Sequence, residues 1–145
     1  MILRALSFTL SDSELSANFP RAFEQVKQIK DPKLSFEDGA IIFSGKFVAG
    51  ILPVPFQAQC VLSAEDEGKV LRVCLKKVKA AFFSGGGEQI ISAMKDKIGV
   101  VPGVRPEGDS LYITLSEIGA AKGMRIQGQL KSIAIGNHEL TLELA

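Results

Sequence analysis

From Lys33 to Phe83 the chain carries alternating stretches at Leu34-Ser-Phe and Leu71-Arg-Val-Cys-Leu, on either side of a long apolar run through Val61 and an acidic turn. Alternation of period two puts every second side chain on one face of a strand, so this stretch predicts a sheet with one buried face. Asp38-Gly39 is its strongest local signal, because such a dipeptide favours a two-residue type I′ hairpin turn. That turn pairs Phe36 with Ile41 and Leu34 with Phe43. Gly45 and Gly50 mark bends or bulges in the strand that follows. Pro53 and Pro55 cannot donate to a ladder, which predicts a rim loop over 51–55. Two further strands follow, about Phe56 to Ala64 and Lys69 to Ala80. The whole stretch reads as a four-stranded antiparallel meander. A two-residue loop between its last two strands sets Glu65 opposite Gly68 and Cys60 opposite Val73. Phe56, Ala58, Cys60 and Leu62 then share a face with Leu71, Val73 and Leu75, while Cys74 points to the other face.

Helical patterns flank this meander. Ser11-Asp12-Ser13-Glu14 has capping-box spacing, and Leu15, Phe19, Phe23 and Val26 recur along one helical face. The expectation is a helix from Asp12 to Ile29, kinked or restarted at Pro20 and ended by Lys30-Asp31-Pro32. Ile90, Ile91, Met94 and Ile98 give a second amphipathic helix over Glu88 to Ile98, ended by Gly99. Residues 3–10 and 111–115 read as strands and 116–122 as a short helix. A closing hairpin, Met124 to Ile135 and Glu139 to Leu144, turns near Gly136-Asn137. A chain of 145 residues fits a single domain, 1–145.

Charge and motifs exclude several functions. A net charge of +1 argues against a global nucleic-acid field. No apolar run is long enough for a transmembrane helix, and Met1-Ile-Leu-Arg lacks the pattern of a signal peptide. A cytoplasmic protein with two free thiols is therefore expected, peripheral to a membrane if its basic run docks there. His138 is the single histidine, which excludes a site with two histidine ligands. No H-E-x-x-H, C-x-x-C or Walker motif is present. Ser84-Gly-Gly-Gly lacks the Lys-Ser/Thr of a P-loop, so a plain loop leading into a helix is its simpler reading. Cys74 between Arg72 and Lys76 has the setting of a lowered thiol pKa, against the plainer reading of an inert thiol. The expectation is a non-enzyme without cofactor or metal.

Two features point to a surface. Lys69 to Phe83 carries Arg72, Lys76, Lys77 and Lys79 with no acid, and ends in Phe82-Phe83. Cations beside aromatics suit an anionic membrane, in competition with an ordinary solvated strand face. Ile51, Leu52 and Val54 form one apolar rim and Val100, Val101 and Val104 another, suited to a lipid entrance or a partner. RNA binding fits poorly, since the aromatics cluster at one end of the strand rather than interleaving on a sheet face.

Strand, capped helix, and then Leu34-Ser-Phe-Glu-Asp-Gly-Ala-Ile-Ile-Phe-Ser-Gly45 and Val54-Pro55-Phe56 resemble bacterial members of the tubular lipid-binding (TULIP) superfamily. The resemblance implies an α+β half-module in which a highly curved antiparallel sheet of meander and hairpins wraps one or two amphipathic helices. It implies non-catalytic binding of a lipid or other apolar small molecule in a groove between sheet and helix. The inward positions Phe19, Phe23, Phe36, Phe43, Phe47, Phe56 and Ile91 are then candidate groove residues. The chain is short for a two-module tube, which brings in a homodimer. Its other readings are a packed interaction or assembly scaffold without ligand, and an enzyme using Cys74 or His138.

Overall fold

The computed structural model describes residues 2–3, 6–11, 13–14, 28–37, 40–49, 52–80, 86–98, 101–121, 123, 125–136 and 138–145. Eleven strands and two helices are assigned among them: β1 (Ile2–Leu3), β2 (Leu6–Ser11), β3 (Ile29–Glu37), β4 (Ala40–Ala49), β5 (Leu52–Glu65), β6 (Val70–Ala80), α1 (Gly86–Ile98), β7 (Val104–Glu107), β8 (Ser110–Thr114), α2 (Leu115–Ala121), β9 (Arg125–Ile126), β10 (Leu130–Ile135) and β11 (Glu139–Leu144). The class is α+β, dominated by antiparallel sheet, and the only parallel pair among the described residues is β1 with β9.

The meander is present as β3-β4-β5-β6, extended by β8 and β7 into a sheet of order β3-β4-β5-β6-β8-β7. Glu37 pairs with Ala40, Phe36 with Ile41 and Leu34 with Phe43, the register expected from Asp38-Gly39. Those two turn residues themselves lie outside the described residues. Inward rows run Phe36–Ile41–Cys60–Leu75 and Leu34–Phe43–Ala58, with Gly45–Phe56–Ala80 beyond them. Phe36, Phe43, Phe47, Phe56, Ala58 and Cys60 are all buried. The Phe43 and Phe56 rings meet edge to face at 5.2 Å between centroids.

Several expectations are corrected. The β5–β6 loop has four residues, with Glu65 opposite Val70, so Cys60 faces Leu75 rather than Val73. The shift is two residues, an even number, so the face assignments of Cys60 and Cys74 are unchanged. Asp66, Glu67 and Gly68 all have positive φ in this turn. A Cβ on Gly68 would stand 2.7 Å from the Leu130 carbonyl oxygen, so the turn presses on β10. Lys30-Asp31-Pro32 is not a helix end: it lies within β3, where Asp31 (φ 50°) forms a bulge opposite β4. Pro53 and Pro55 lie within β5 rather than in a loop, paired with Val48 and Lys46. The β6 pairing stops at Phe56↔Ala80, so this part of β5 has a partner on one side only among the described residues, an edge setting that tolerates proline.

A second bulge lies in β6, where Gln57↔Lys79 and Gln59↔Lys76 leave one extra residue, with Lys77 at φ 50°. It reverses the facing of the strand. Leu71, Val73 and Leu75 point inward before it, and Val78 and Ala80 after it. Lys76, Lys77 and Lys79 consequently all reach solvent.

Helix α1 packs across β6, β7 and β8 and adds Ile90, Ile91 and Met94 to the buried cluster. Gly99, expected to end it, lies outside the described residues. Its start presses on the sheet: a Cβ on Gly87 would stand 2.6 Å from the Leu75 carbonyl oxygen and 3.2 Å from Asp109 Cβ. The closing hairpin β10–β11 holds β2 on its far side, aligning Leu10, Phe8 and Leu6 with Leu140, Leu142 and Leu144. β7 occupies part of the expected apolar loop at 100–104, and Leu115 belongs to α2 rather than to the preceding strand. Of the helix expected over 12–29, residues 13 and 14 are helical, and the Glu14 N–H donates to Ser11 Oγ at 3.2 Å as a capping box requires. Pro20, Val26, Phe19 and Phe23 lie outside the described residues. No helix among the described residues is long and apolar enough to cross a membrane.

Because Gly87 abuts backbone that cannot swing aside, Gly87→Ala is expected to destabilise the fold by about 1–3 kcal/mol through overpacking, despite the better helix propensity of alanine. A urea midpoint equal to or above that of the wild type would refute this contact.

Candidate functional site

The β3 bulge shapes the surface at one end of the sheet. Asp31 and Pro32 bow out opposite Gly45, and beside them opens a groove of about 1000 Å³. It is lined by Pro32, Leu34, Gly45, Pro55 and Phe56, with Asp31, Lys33, Ser35, Ser44 and Lys46 supplying the polar part. Lys46 Nζ lies 3.6 Å from Asp31 Oδ2, an exposed pair at the groove. Apolar walls with a few charged groups are the usual makeup of a small-molecule site, and this volume is at the upper end of the common range of about 300–1,000 Å³.

Of the expected groove residues, Phe36, Phe43, Phe47, Phe56 and Ile91 are brought together in one buried cluster. Phe56 alone among these five lines the groove. Phe19 and Phe23 lie outside the described residues. Of the expected surface residues, Leu52 is 68% exposed and Val54 half-buried. Ile51 and Phe83 lie outside the described residues, as does Val100. Val101 is exposed beside a second hollow of about 410 Å³, lined by Val70, Gly103, Val104, Tyr112 and Glu117 among others.

The basic strand divides into two parts. Arg72 is half-buried, with its guanidinium 3.6 Å from Glu65 Oε1 and 3.8 Å from Asp109 Oδ1, and its Nε donating to Ser110 Oγ at 3.0 Å. The fully buried Ser110 hydroxyl in turn donates to Asp109 Oδ1 at 2.9 Å. Lys76 Nζ lies 3.6 Å from Asp109 Oδ2. Arg72 and Arg105 both lie over the Tyr112 ring, 5.6 and 4.9 Å from its centroid. This end of the outer face is a neutralised polar network. Lys77 and Lys79 instead sit exposed past the bulge.

Both cysteines are buried free thiols. Burial pushes the Cys60 thiol up to about 12, so it stays protonated at neutral pH. Cys74 lies on the outer side of β6, paired across to Ser110 beside Asp109. His138 is exposed. Among the described residues no group of three His, Cys, Asp or Glu is placed to hold a metal ion.

Lys30, Lys33 and Lys46 were not singled out by the sequence, because Lys30-Asp31-Pro32 reads as a helix end. The signal that finds them is cross-strand register. Lys33, Ser44, Gln57 and Lys79 form one row, and Lys30, Lys46 and Pro55 the next.

The Ser110 hydroxyl bond holds the Asp109 carboxyl below the usual carboxylate range, aided by Cys74 and Lys76 against the cost of burial. A depressed folded pKa contributes stability above the unfolded value of about 3.9 and loses it as pH falls through the folded pKa. Asp109→Asn is therefore expected to lower stability at pH 7, with the gap to the wild type closing as pH drops below about 4. Urea titrations across that window check it, and a gap that stays constant with pH would refute it.

Compared with protein-family models, with curated proteins and with solved structures, the chain matches none.

Proposed function

We propose that the protein binds a lipid or other apolar small molecule without catalysis, in a groove formed by β3, β4 and β5 at one end of its sheet. The observation that carries this reading is the groove of about 1000 Å³ at the β3 bulge, where Leu34, Pro32, Pro55 and Phe56 adjoin Lys33 and Lys46. An acyl chain gains about 0.8 kcal/mol for each methylene withdrawn from water, before ordering costs. Lysines at the groove suit a ligand with an anionic head. The resemblance to the tubular lipid-binding superfamily supports the same reading.

A second reading is a packed interaction or assembly domain, including one that pairs with a second copy of itself. It is favoured by the burial of Phe36, Phe43, Phe47 and Ile91, all packed within the protein's own core.

Native mass spectrometry of the purified protein, followed by organic extraction, separates the two. A reproducible adduct that releases fatty acid or phospholipid is expected. A bare mass that persists after incubation with lipid vesicles would turn the assignment to the packed domain. The same spectrum counts the copies in the assembly.

A further inference from the structure

We propose that the outer face of the β3-β4-β5-β6 sheet, at the end bearing Leu52, docks on an anionic phospholipid bilayer. The proposal rests on the lipid reading above and names the source of its ligand.

The argument starts from charge. Three adjacent cross-strand rows carry Lys30 and Lys46, then Lys33 and Lys79, then Lys76, with Lys77 at the bulge between the last two. All six are exposed. Asp31 pairs with Lys46, and Asp109 with Lys76. Lys30, Lys33, Lys77 and Lys79 have no ion-pair partner among the described residues. Neighbouring strands lie about 4.8 Å apart, so Lys33 and Lys79, three strands apart, span a width of about 14 Å. A chain of net charge +1 thus concentrates uncompensated cations on one face.

The second observation is apolar. Leu52, 68% exposed, stands at the start of β5 on the pleat side of Val54 and Phe56, at the end of the sheet just beyond the lysine rows. A hydrophobic residue at the rim of a cationic face matches the headgroup boundary of a bilayer. A single-stranded nucleic acid would instead be held by exposed rings on which its bases stack. Among the described residues, Phe36, Phe43, Phe47 and Phe56 of this sheet are buried, and Tyr112 lies at the far end under two arginines. The groove lies at the lysine rows, with Lys33 and Lys46 in its lining. Docking this face therefore brings the polar border of the groove to the lipid, with its apolar lining, Leu34, Gly45 and Phe56, behind it in the inward rows.

Flotation of the full chain with phosphatidylcholine vesicles, with and without about one third phosphatidylglycerol, tests the proposal. The wild type is expected to float with the anionic vesicles only, and to be released as salt rises from about 0.1 M to about 0.5 M. The double variant Lys33→Glu/Lys79→Glu is expected to lose at least about tenfold in partitioning, since each basic residue near the surface contributes about fivefold. The charge-matched control Lys95→Glu/Lys131→Glu, on α1 and β10, should lose markedly less. Circular dichroism confirms that both are folded. Leu52→Asp should also weaken flotation. The proposal is overturned if the wild type ignores anionic vesicles, if both double variants lose equally, or if a single-stranded oligonucleotide displaces the vesicles at equal charge concentration. Native mass spectrometry on the same samples separates this from the groove. Protein that carries lipid but does not float overturns docking alone, and protein that floats but never carries lipid overturns the groove alone.

Discussion

Everything in this molecule is arranged around the fact that β5 can bury only one of its faces. Phe56, Ala58 and Cys60 lie inward on every second residue, against Gly45, Phe43 and Ile41 on one side and Ala80 and Leu75 on the other. That row belongs to the same buried cluster as Ile90, Ile91 and Met94 of α1, which packs on the neighbouring β6, β7 and β8. The intervening residues, Gln57, Gln59 and Val61, are committed to the opposite side. Burial of the inner face and the polarity of the outer one are thus a single consequence of backbone pleat.

The outer face is segregated by charge along the strands. Toward the β5–β6 turn, Arg72 is held by Glu65, Asp109 and Ser110, so its charge is spent within the protein. Toward Leu52, the lysines of β3, β4 and β6 face water with few acids among them. The boundary between the two regions is Lys76, which still reaches Asp109. Beside the polar network α1 closes on Leu75 and Asp109 at Gly87. The lysine-rich end has bulges in both β3 and β6.

Much of the fold was legible in the sequence, because alternation and turn chemistry are local. Asp38-Gly39 fixed the β3–β4 register through Glu37↔Ala40, and the helical spacing of Ile90, Ile91 and Met94 located α1. The faces of Cys60 and Cys74 were right although the paired residues were not, since the error was even. What local reasoning missed were edge and bulge positions. Pro53, Pro55 and Pro106 all sit in strands, the first two where β5 has one neighbour and the third in edge strand β7. The β6 bulge did leave a trace: apolar residues fall at 71, 73 and 75 and then at 78 and 80, a change of phase. The candidate site was less legible. Phe56 was identifiable from its inward position, but Lys30, Lys33 and Lys46 join Lys79 only once the order of the strands is known.

The β6 bulge also governs how this chain can vary in length. With one residue too many, the strand presents Leu75 and Val78 to the same interior, although they are an odd number of positions apart. Excision of a single residue there would leave a regular strand with Val78 and Ala80 still inward, whereas closing the bulge with every residue kept would turn Lys77 and Lys79 into the core. Natural relatives of this chain should accordingly tolerate a one-residue gap at this point, because loss of the odd residue removes the bulge and leaves every later side chain on its own side.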